Sequence, residues 1–290
     1  MDMPIFARAA DLRAFLAGPR TQAKRIALVP TLGNLHEGHY SLIDLARKHA
    51  DVVVASVFVN PTQFGPNEDY ARYPRTPDAD TAGLAAHGCD ALFMPAAEEM
   101  YPYGPAQTVR VSVPGFDDVL EAAIRPGHFD GVATVVSKLF NLVQPDIAVF
   151  GRKDYQQLLV IERMTRDLAY PIEIVGAPTL REANGLAMSS RNQYLSAEQR
   201  ERAGFIHATL QRMREAVLQG SETVPTIELS TIEARADADL RKAGFEPDYA
   251  VIRRAEDLRT PDVGQKTGLI ALIAARLGPA RLIDNLLLKP

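Results

Sequence analysis

The stretch Ile26-Ala27-Leu28-Val29-Pro30-Thr31-Leu32-Gly33-Asn34-Leu35-His36-Glu37-Gly38-His39 runs from an apolar strand through a glycine turn into an amphipathic helix, expected from Tyr40 to about Ala50. That order makes an anion-binding arrangement, because the first N–H groups of a helix lack intrahelical partners and carry positive partial charge. His36 and His39 stand at the mouth of the helix, three positions apart, so both imidazoles can share one face and reach one phosphate. A zinc-protease site needs histidines four apart with a glutamate between them, and the interval here is three. Glu37 reads as an acidic residue that favours the helix N-terminus. By itself the histidine pair is as compatible with capping and packing as with function.

Working outward, Asp51 to Val59 is nearly continuous and β-branched, as in a strand buried on both faces of a parallel sheet. Strand, helix and strand in so short a span form a βαβ unit. The loop Asn60-Pro61-Thr62-Gln63-Phe64-Gly65-Pro66 follows, and ligands in such sheets bind beyond the C-terminal strand ends. Upstream, Arg8 to Ala17 reads as a helix. Downstream come a helix at Asp78 to His87, a strand at Ala91 to Pro95, an alternating strand pattern at Val109 to Val113 and a turn-rich loop at Arg125 to Gly131. Val132, Val135, Val136, Leu139, Phe140 and Val143 then form one apolar helical face. Ile147 to Phe150 is a short strand running into Gly151 to Gln157, a helix reaches about Leu168, and Ile172 to Val175 closes this half.

Residues 178–192 read as a polar junction. Two long helices, about Ala197 to Gln219 and Thr226 to Ala243, and three short strands at Tyr249 to Ile252, Leu269 to Ile273 and Arg281 to Ile283 follow. The expected fold is α/β, a Rossmann-like doubly wound parallel sheet over residues 1–177, with a second, smaller α+β domain over 178–290.

With 290 residues, 47% hydrophobic and 23% charged, the chain is long enough for two domains of ordinary globular composition. A net charge of -4 argues against a general nucleic-acid or membrane-surface partner, so an anion site must be built locally. Cys89 is the single cysteine, which excludes an internal disulfide and a multi-cysteine zinc site. No window reaches the ~18 apolar residues of a membrane span, and no secretory signal is evident, so a cytoplasmic location is expected.

Lys153 and Asp154 follow a buried strand. The commoner fate of such a pair is a solvated helix start, but at this place a lysine suits phosphate oxygens and an aspartate suits a magnesium ion or that lysine. Ser189, Ser190 and Arg191 are either ordinary loop polars or two hydroxyls and a guanidinium set for phosphate. Gln63 and Gln157 are surface amides or neutral binders of a carboxylate, where an arginine would blunt the nucleophile. Arg125 and His128 read more readily as structural or solvated.

Taken in order, Pro30 to His39, Phe58 to Phe64, Arg125 to Gly131, Gln144-Pro145-Asp146, Gly151 to Leu158 and Pro178 to Leu195 resemble the pantoate–β-alanine ligase family. That family belongs to the His-x-Gly-His nucleotidyltransferases, relatives of class I aminoacyl-tRNA synthetases, with Met188 to Arg191 at the second signature. Arg152, Tyr40 and Leu32 depart from residues common in the family, and none of the three removes a group the chemistry needs. The resemblance implies an ATP-dependent, AMP-forming ligase with pantoate and β-alanine as substrates, ATP as co-substrate, Mg2+ held mainly by the triphosphate with no dedicated metal site on the protein and Asp154 the one candidate contact, and a homodimer. It implies His39 as proton donor, aided by His36, Lys153 and Arg191. ATP would meet Leu32, Gly33, Asn34, Leu35, His36, Glu37, Gly38, His39, Gly151, Arg152, Lys153, Asp154, the Leu180 backbone, Met188, Ser189, Ser190 and Arg191, and pantoate would meet Gln63 and Gln157. The smaller domain would shield the acyl adenylate. The rival readings are another His-x-Gly-His nucleotidyltransferase that keeps AMP on its product, a non-catalytic nucleotide-binding protein, and a metal-dependent hydrolase.

Overall fold

The computed structural model of the chain describes residues 3–65, 68, 70–219 and 228–288. It separates into two compact units, Met1–Arg152 with Gln156–Pro178, and Lys153–Tyr155 with Thr179–Pro290.

The first unit runs β1 (Ile5–Phe6), α1 (Ala9–Thr21), β2 (Ile26–Thr31), α2 (Glu37–Ala46), β3 (Val52–Val57), α3 (Pro77–Ala86), β4 (Ala91–Phe93), α4 (Ala97–Met100), α5 (Glu121–Ile124), α6 (His128–Val143), β5 (Ile147–Gly151), α7 (Tyr155–Asp167) and β6 (Glu173–Ala177). Its six strands are all parallel, in the order β1-β4-β3-β2-β5-β6. Side chains alternate across such a sheet. Ala27, Val29, Val53, Ala55, Ile147 and Val149 face Leu42, Ile43 and Ala46 of α2 and Leu84 of α3 in one dry cluster. α1 and α6 pack together, and α6 also packs on β2, so the sheet is doubly wound. The strand order reverses where β2 meets β5, paired through Ala27↔Ile147 and Leu28↔Ala148. A doubly wound sheet opens its ligand crevice at that point, beyond the C-terminal strand ends.

Besides shifted element ends, two expectations for this half change. Val109 to Val113 forms no strand. Its alternation comes from an extended segment lying on α6, with the Val111 N–H donating to Thr134 Oγ1 at 2.9 Å, Val109 exposed and Val113 buried. The second change is at Arg125 to Gly131, half of which is helix. Gly127, left-handed at φ 78°, is the N-cap of α6, and His128 to Gly131 form its first turn. The two-residue β1 is too short for periodicity to reveal.

The second unit contains α8 (Ala197–Ala203), α9 (Phe205–Gln219), α10 (Leu229–Lys242) and an antiparallel sheet of β7 (Glu246–Arg254), β8 (Leu269–Leu277) and β9 (Ala280–Leu287) in that order. The single helix expected from Ala197 to Gln219 is broken at Gly204, where a Cβ would strike the carbonyl of Asn184. The expected start of the next helix at Thr226 lies outside the described residues, and α10 ends at Lys242. All three strands outrun the expected ones, and in β7 and β9 charged residues along the strand are paired. Arg253 meets Glu233 at 2.9 Å and Arg281 meets Asp248 at 2.6 Å, so charge does not end the strands. Ile206, Leu210, Ile232, Leu240, Ile252 and Ile273 form its core.

Candidate active site

At the end of β2 the chain turns through Leu32 to Leu35. Gly33 is left-handed at φ 89°, and a Cβ there would lie 3.0 Å from Val57 Cγ1 and 3.1 Å from Asp80 Oδ2, so this glycine is required by both conformation and space. Asn34 is also left-handed, at φ 52°. Asp80, on α3 and 1% exposed, holds the turn from beneath. Its carboxylate accepts the N–H groups of Asn34 (2.9 Å) and Leu35 (2.8 Å) and the Thr76 hydroxyl (3.0 Å). Those two N–H groups are therefore engaged inside the protein. A mostly apolar cavity of about 270 Å³ beside the turn is lined by Leu32, Gly33, Phe58 and Asp80 among others.

Helix α2 starts earlier than the amphipathic pattern suggests, with His36 as its N-cap. His36 Nδ1 accepts the Gly38 N–H at 3.1 Å, while His39 Nδ1 accepts the His36 N–H at 3.3 Å, a reciprocal capping box built from two imidazoles. The rings lie 4.1 Å apart, centroid to centroid. Because each Nδ1 is an acceptor, each neutral ring carries its proton on Nε2. The pair thus presents two Nε2–H donors.

Gln63 is buried in a short 3₁₀ turn, Pro61–Gln63, capped by the Asn60 side chain. Asn60 Nδ2 donates to Gln63 Oε1 (3.0 Å) and to the Gly131 carbonyl (3.1 Å), and the Tyr101 hydroxyl donates to Asn60 Oδ1 at 2.6 Å. With Oε1 so held, the Gln63 NH2 is the part of the amide that makes no hydrogen bond among the described residues. On α7, Gln156 is buried and satisfied by Phe116 O, Val119 O and the Glu121 N–H. Its neighbour Gln157 is half-buried, and its amide makes no hydrogen bond among the described residues. Gly151 ends β5 with open space where a Cβ would project. The Arg152 side chain turns to β6, its Nε 3.0 Å from where a Cβ on Gly176 would lie, and its charge acts on Glu162.

The remaining expected residues belong to the second unit. Lys153 Nζ lies 3.5 Å from Asp154 Oδ1, and the Lys153 carbonyl accepts Asn285 Nδ2 at 2.8 Å. Leu180 to Met188 is a small hairpin closed by the Arg181↔Ala187 bridge, in which the Leu180 carbonyl accepts the Met188 N–H at 3.0 Å. Ser189 then caps the turn Ser190–Tyr194, its Oγ accepting the Arg191 N–H at 3.3 Å. Two forked ion pairs fix this segment. Arg181 meets Asp284 at 2.6 and 2.9 Å, and Arg200 meets Glu182 at 2.7 and 3.0 Å, while Asn192 Nδ2 joins Glu182 to the Ala187 carbonyl. Adjacent β9 residues, Asp284 and Asn285, therefore steady both the hairpin before Ser189 and the backbone of Lys153.

Asp80, Asn60, Asp284 and Asn285 are the residues that motif reading missed. Asp284 and Asn285 carried a signal, polarity inside the apolar run Arg281-Leu282-Ile283-Asp284-Asn285-Leu286-Leu287, and Asp80 carried none. Among the described residues no group of three or more His, Cys, Asp or Glu gathers to hold a metal, and no helix is long and apolar enough to cross a membrane.

A parallel sheet whose strand order reverses at β2, with an imidazole pair capping the helix that leaves that strand, defines a nucleotide-handling α/β protein of the His-x-Gly-His type. The chain belongs to the pantoate-beta-alanine ligase family, whose family model matches residues 4–287. It is 58% identical over 279 residues to the pantothenate synthetase of Stenotrophomonas maltophilia (strain K279a), covering 95% of this chain and 96% of that one. Its identity to the pantothenate synthetase of Xylella fastidiosa (strain M12) is 59% over 276 residues, with 95% and 96% covered. Among solved structures, pantothenate synthetase from Thermus thermophilus matches with a TM-score of 0.90 at 48% identity, covering 99% of this chain and 100% of that one. Pantoate-beta-alanine ligase from Francisella tularensis, complexed with beta-gamma ATP and beta-alanine, matches with a TM-score of 0.79 at 33% identity, covering 99% and 98%.

Proposed function

We propose that this chain condenses pantoate with β-alanine to pantothenate, converting ATP to AMP and pyrophosphate through a pantoyl adenylate. The observation that carries the reading is the interlocked His36–His39 cap, with both imidazoles set as Nε2–H donors at the sheet's switch point, in a chain that matches its family along nearly its whole length.

A free carboxylate acylates poorly, so it first needs a good leaving group. The pantoate carboxylate oxygen bonds to the α-phosphorus of ATP while the bond from that phosphorus to the bridging oxygen of pyrophosphate breaks. Charge moves onto the departing pyrophosphate, and preorganised donors stabilise it there. His36 and His39 donate hydrogen bonds from their Nε2–H groups to the phosphate oxygens, stabilising the charge that moves onto the pyrophosphate without giving up a proton. Lys153, Ser189, Ser190 and Arg191 hold the phosphates. Gln63 and Gln157 bind pantoate through neutral amides that leave its carboxylate nucleophilic. In the second step the β-alanine nitrogen attacks the acyl carbon, the carbon–oxygen bond to AMP breaks and the amine loses a proton. Leu32 to His39, Gly151 to Asp154, Leu180 and Met188 complete the ATP contacts.

A half-exposed Asp154 paired to Lys153 fits magnesium that arrives on the triphosphate, with Asp154 as its carboxylate on the protein. We also infer a homodimer in the cytoplasm, with residues 1–177 binding nucleotide and pantoate and residues 178–290 shielding the acyl adenylate from water.

Incubation with ATP, magnesium, pantoate and β-alanine, read by mass, should give pantothenate, AMP and pyrophosphate. Without β-alanine, enzyme-bound pantoyl adenylate and pyrophosphate should accumulate. A stable adenylated product indifferent to β-alanine would identify a different nucleotidyltransferase. His39→Ala should cut turnover far more than it weakens ATP binding, and an undiminished rate would remove His39 from the chemistry.

A further inference from the structure

We propose that His128 is a positioning residue for Gln63, holding the amide that binds pantoate through a main-chain hydrogen bond from the first turn of α6. The inference rests on the reading of Gln63 as a pantoate contact. His128 has a contact at each ring nitrogen: Nδ1 lies 2.7 Å from the Gln63 carbonyl and Nε2 lies 3.0 Å from Arg125 Nη1. A guanidinium only donates, so Nε2 accepts, the ring proton sits on Nδ1, and Nδ1–H donates to Gln63 O. Arg125 is aimed in turn by a fork to Glu68, with two bonds of 2.6 Å. Its positive charge next to Nε2 keeps the ring in this one tautomer.

The opposite side of Gln63 is equally constrained. Asn60, held by Tyr101, occupies Oε1, and the Gly131 backbone lies directly against Thr62 and Gln63. The carbonyl fixes where the residue sits, and Asn60 fixes which way its amide faces. Only the NH2 remains to meet a ligand, and a donor is what a carboxylate requires. A structural role confined to α6 would need neither the tautomer nor the bond to a neighbouring loop.

The two ring nitrogens can be tested separately, because an asparagine amide falls near the Nδ1 position and a glutamine amide near the Nε2 position. His128→Gln keeps an acceptor for Arg125 and loses the donor to Gln63. His128→Asn keeps that donor. Steady-state kinetics with pantoate, ATP and β-alanine varied in turn should show the pantoate KM of His128→Gln raised about tenfold, with the ATP KM and kcat within about twofold, and His128→Asn restored to within about threefold of wild type. Equal rises in the pantoate and ATP constants, or a wild-type pantoate KM in His128→Gln, would overturn the proposal. If His128→Gln does not fold, the Asn variant decides alone, since a tenfold rise there contradicts the role of the retained donor. Gln63→Ala measured alongside separates the two layers. If it leaves the pantoate KM unchanged, both the pantoate reading and this inference fall, whereas a rise in Gln63→Ala without one in His128→Gln sinks the positioning role alone.

Discussion

A Cβ on Gly131 would lie 2.6 Å from the Cα of Gln63, a separation that neither α6 nor the Pro61–Gln63 turn can absorb without moving. Gly131→Ala should therefore push that turn away from α6. Overpacking of this kind costs about 1–3 kcal/mol. The midpoint of urea unfolding should fall accordingly, and the pantoate KM should rise several-fold with little change for ATP. A variant with wild-type values of both would show that the Gln63 turn is not held in place by α6.

Burial, with the nearby Arg125 charge, pushes His128 down to about 4 from its ordinary 6.5. The folded protein keeps this ring neutral where the unfolded chain would protonate it. Between about pH 6.5 and pH 4 the unfolded state thus binds more protons, and the stability contributed by the neutral ring is complete above that window and is lost as pH falls through it, by about 3 kcal/mol at most. Urea unfolding of wild type and His128→Asn at pH 7 and pH 5 checks the sign. The wild type should lose more stability between the two, and equal losses would exclude His128 as the source.

Asp80 receives two backbone N–H groups, and an asparagine would turn an NH2 toward one of them. Asp80→Asn should leave a buried donor unsatisfied at about 1–3 kcal/mol and loosen the Gly33–Leu35 turn. The expected kinetic result is an ATP KM about tenfold higher with the pantoate KM barely altered. Calorimetric titration with a non-hydrolysable ATP analogue measures the same loss directly, and unchanged affinity would mean that the turn keeps its shape without the carboxylate.

In the second unit, the Asp284 side chain is 4% exposed and forked to Arg181. Arg181→Ala leaves that carboxylate without its cation, a change that typically costs about 3–5 kcal/mol. Hydrogen exchange should show the Leu180–Met188 hairpin and β9 opening first. Replacing both partners, Arg181→Met with Asp284→Leu, should recover much of the stability, because no unpaired charge remains.

The sheet was legible because its strands are apolar runs such as Val52 to Val54, and the candidate site was proposed from residues that follow where those strands end. Periodicity misled at Val109 to Val113, where alternation records a chain lying on a helix and not a paired strand. The start of α6 was hidden by Pro126 and Gly127, which read as a loop although Gly127 caps the helix. Asp80 was beyond reach because nothing local marks it, whereas Asp284 interrupts an apolar run. Asp80 is one acid among Asp78, Asp80 and the neighbouring turns, and only the fold brings it under a backbone from 46 residues earlier. His128 was within sight but read as a loop residue, since its partner carbonyl belongs to a segment distant in sequence.

The interlocked cap of α2 also restricts what its histidines can do with protons. Each imidazole has its one basic lone pair committed to a main-chain N–H of the same helix, so neither can serve as a general base without breaking the cap that places it. The motif can share its Nε2 protons with oxyanions through hydrogen bonds, but while the cap holds it neither gives one up nor collects one. The ammonium of the incoming amino acid must therefore be unburdened elsewhere, by water or by an oxygen of the departing nucleotide, and the second half-reaction should respond to pH through the amine and not through these two rings.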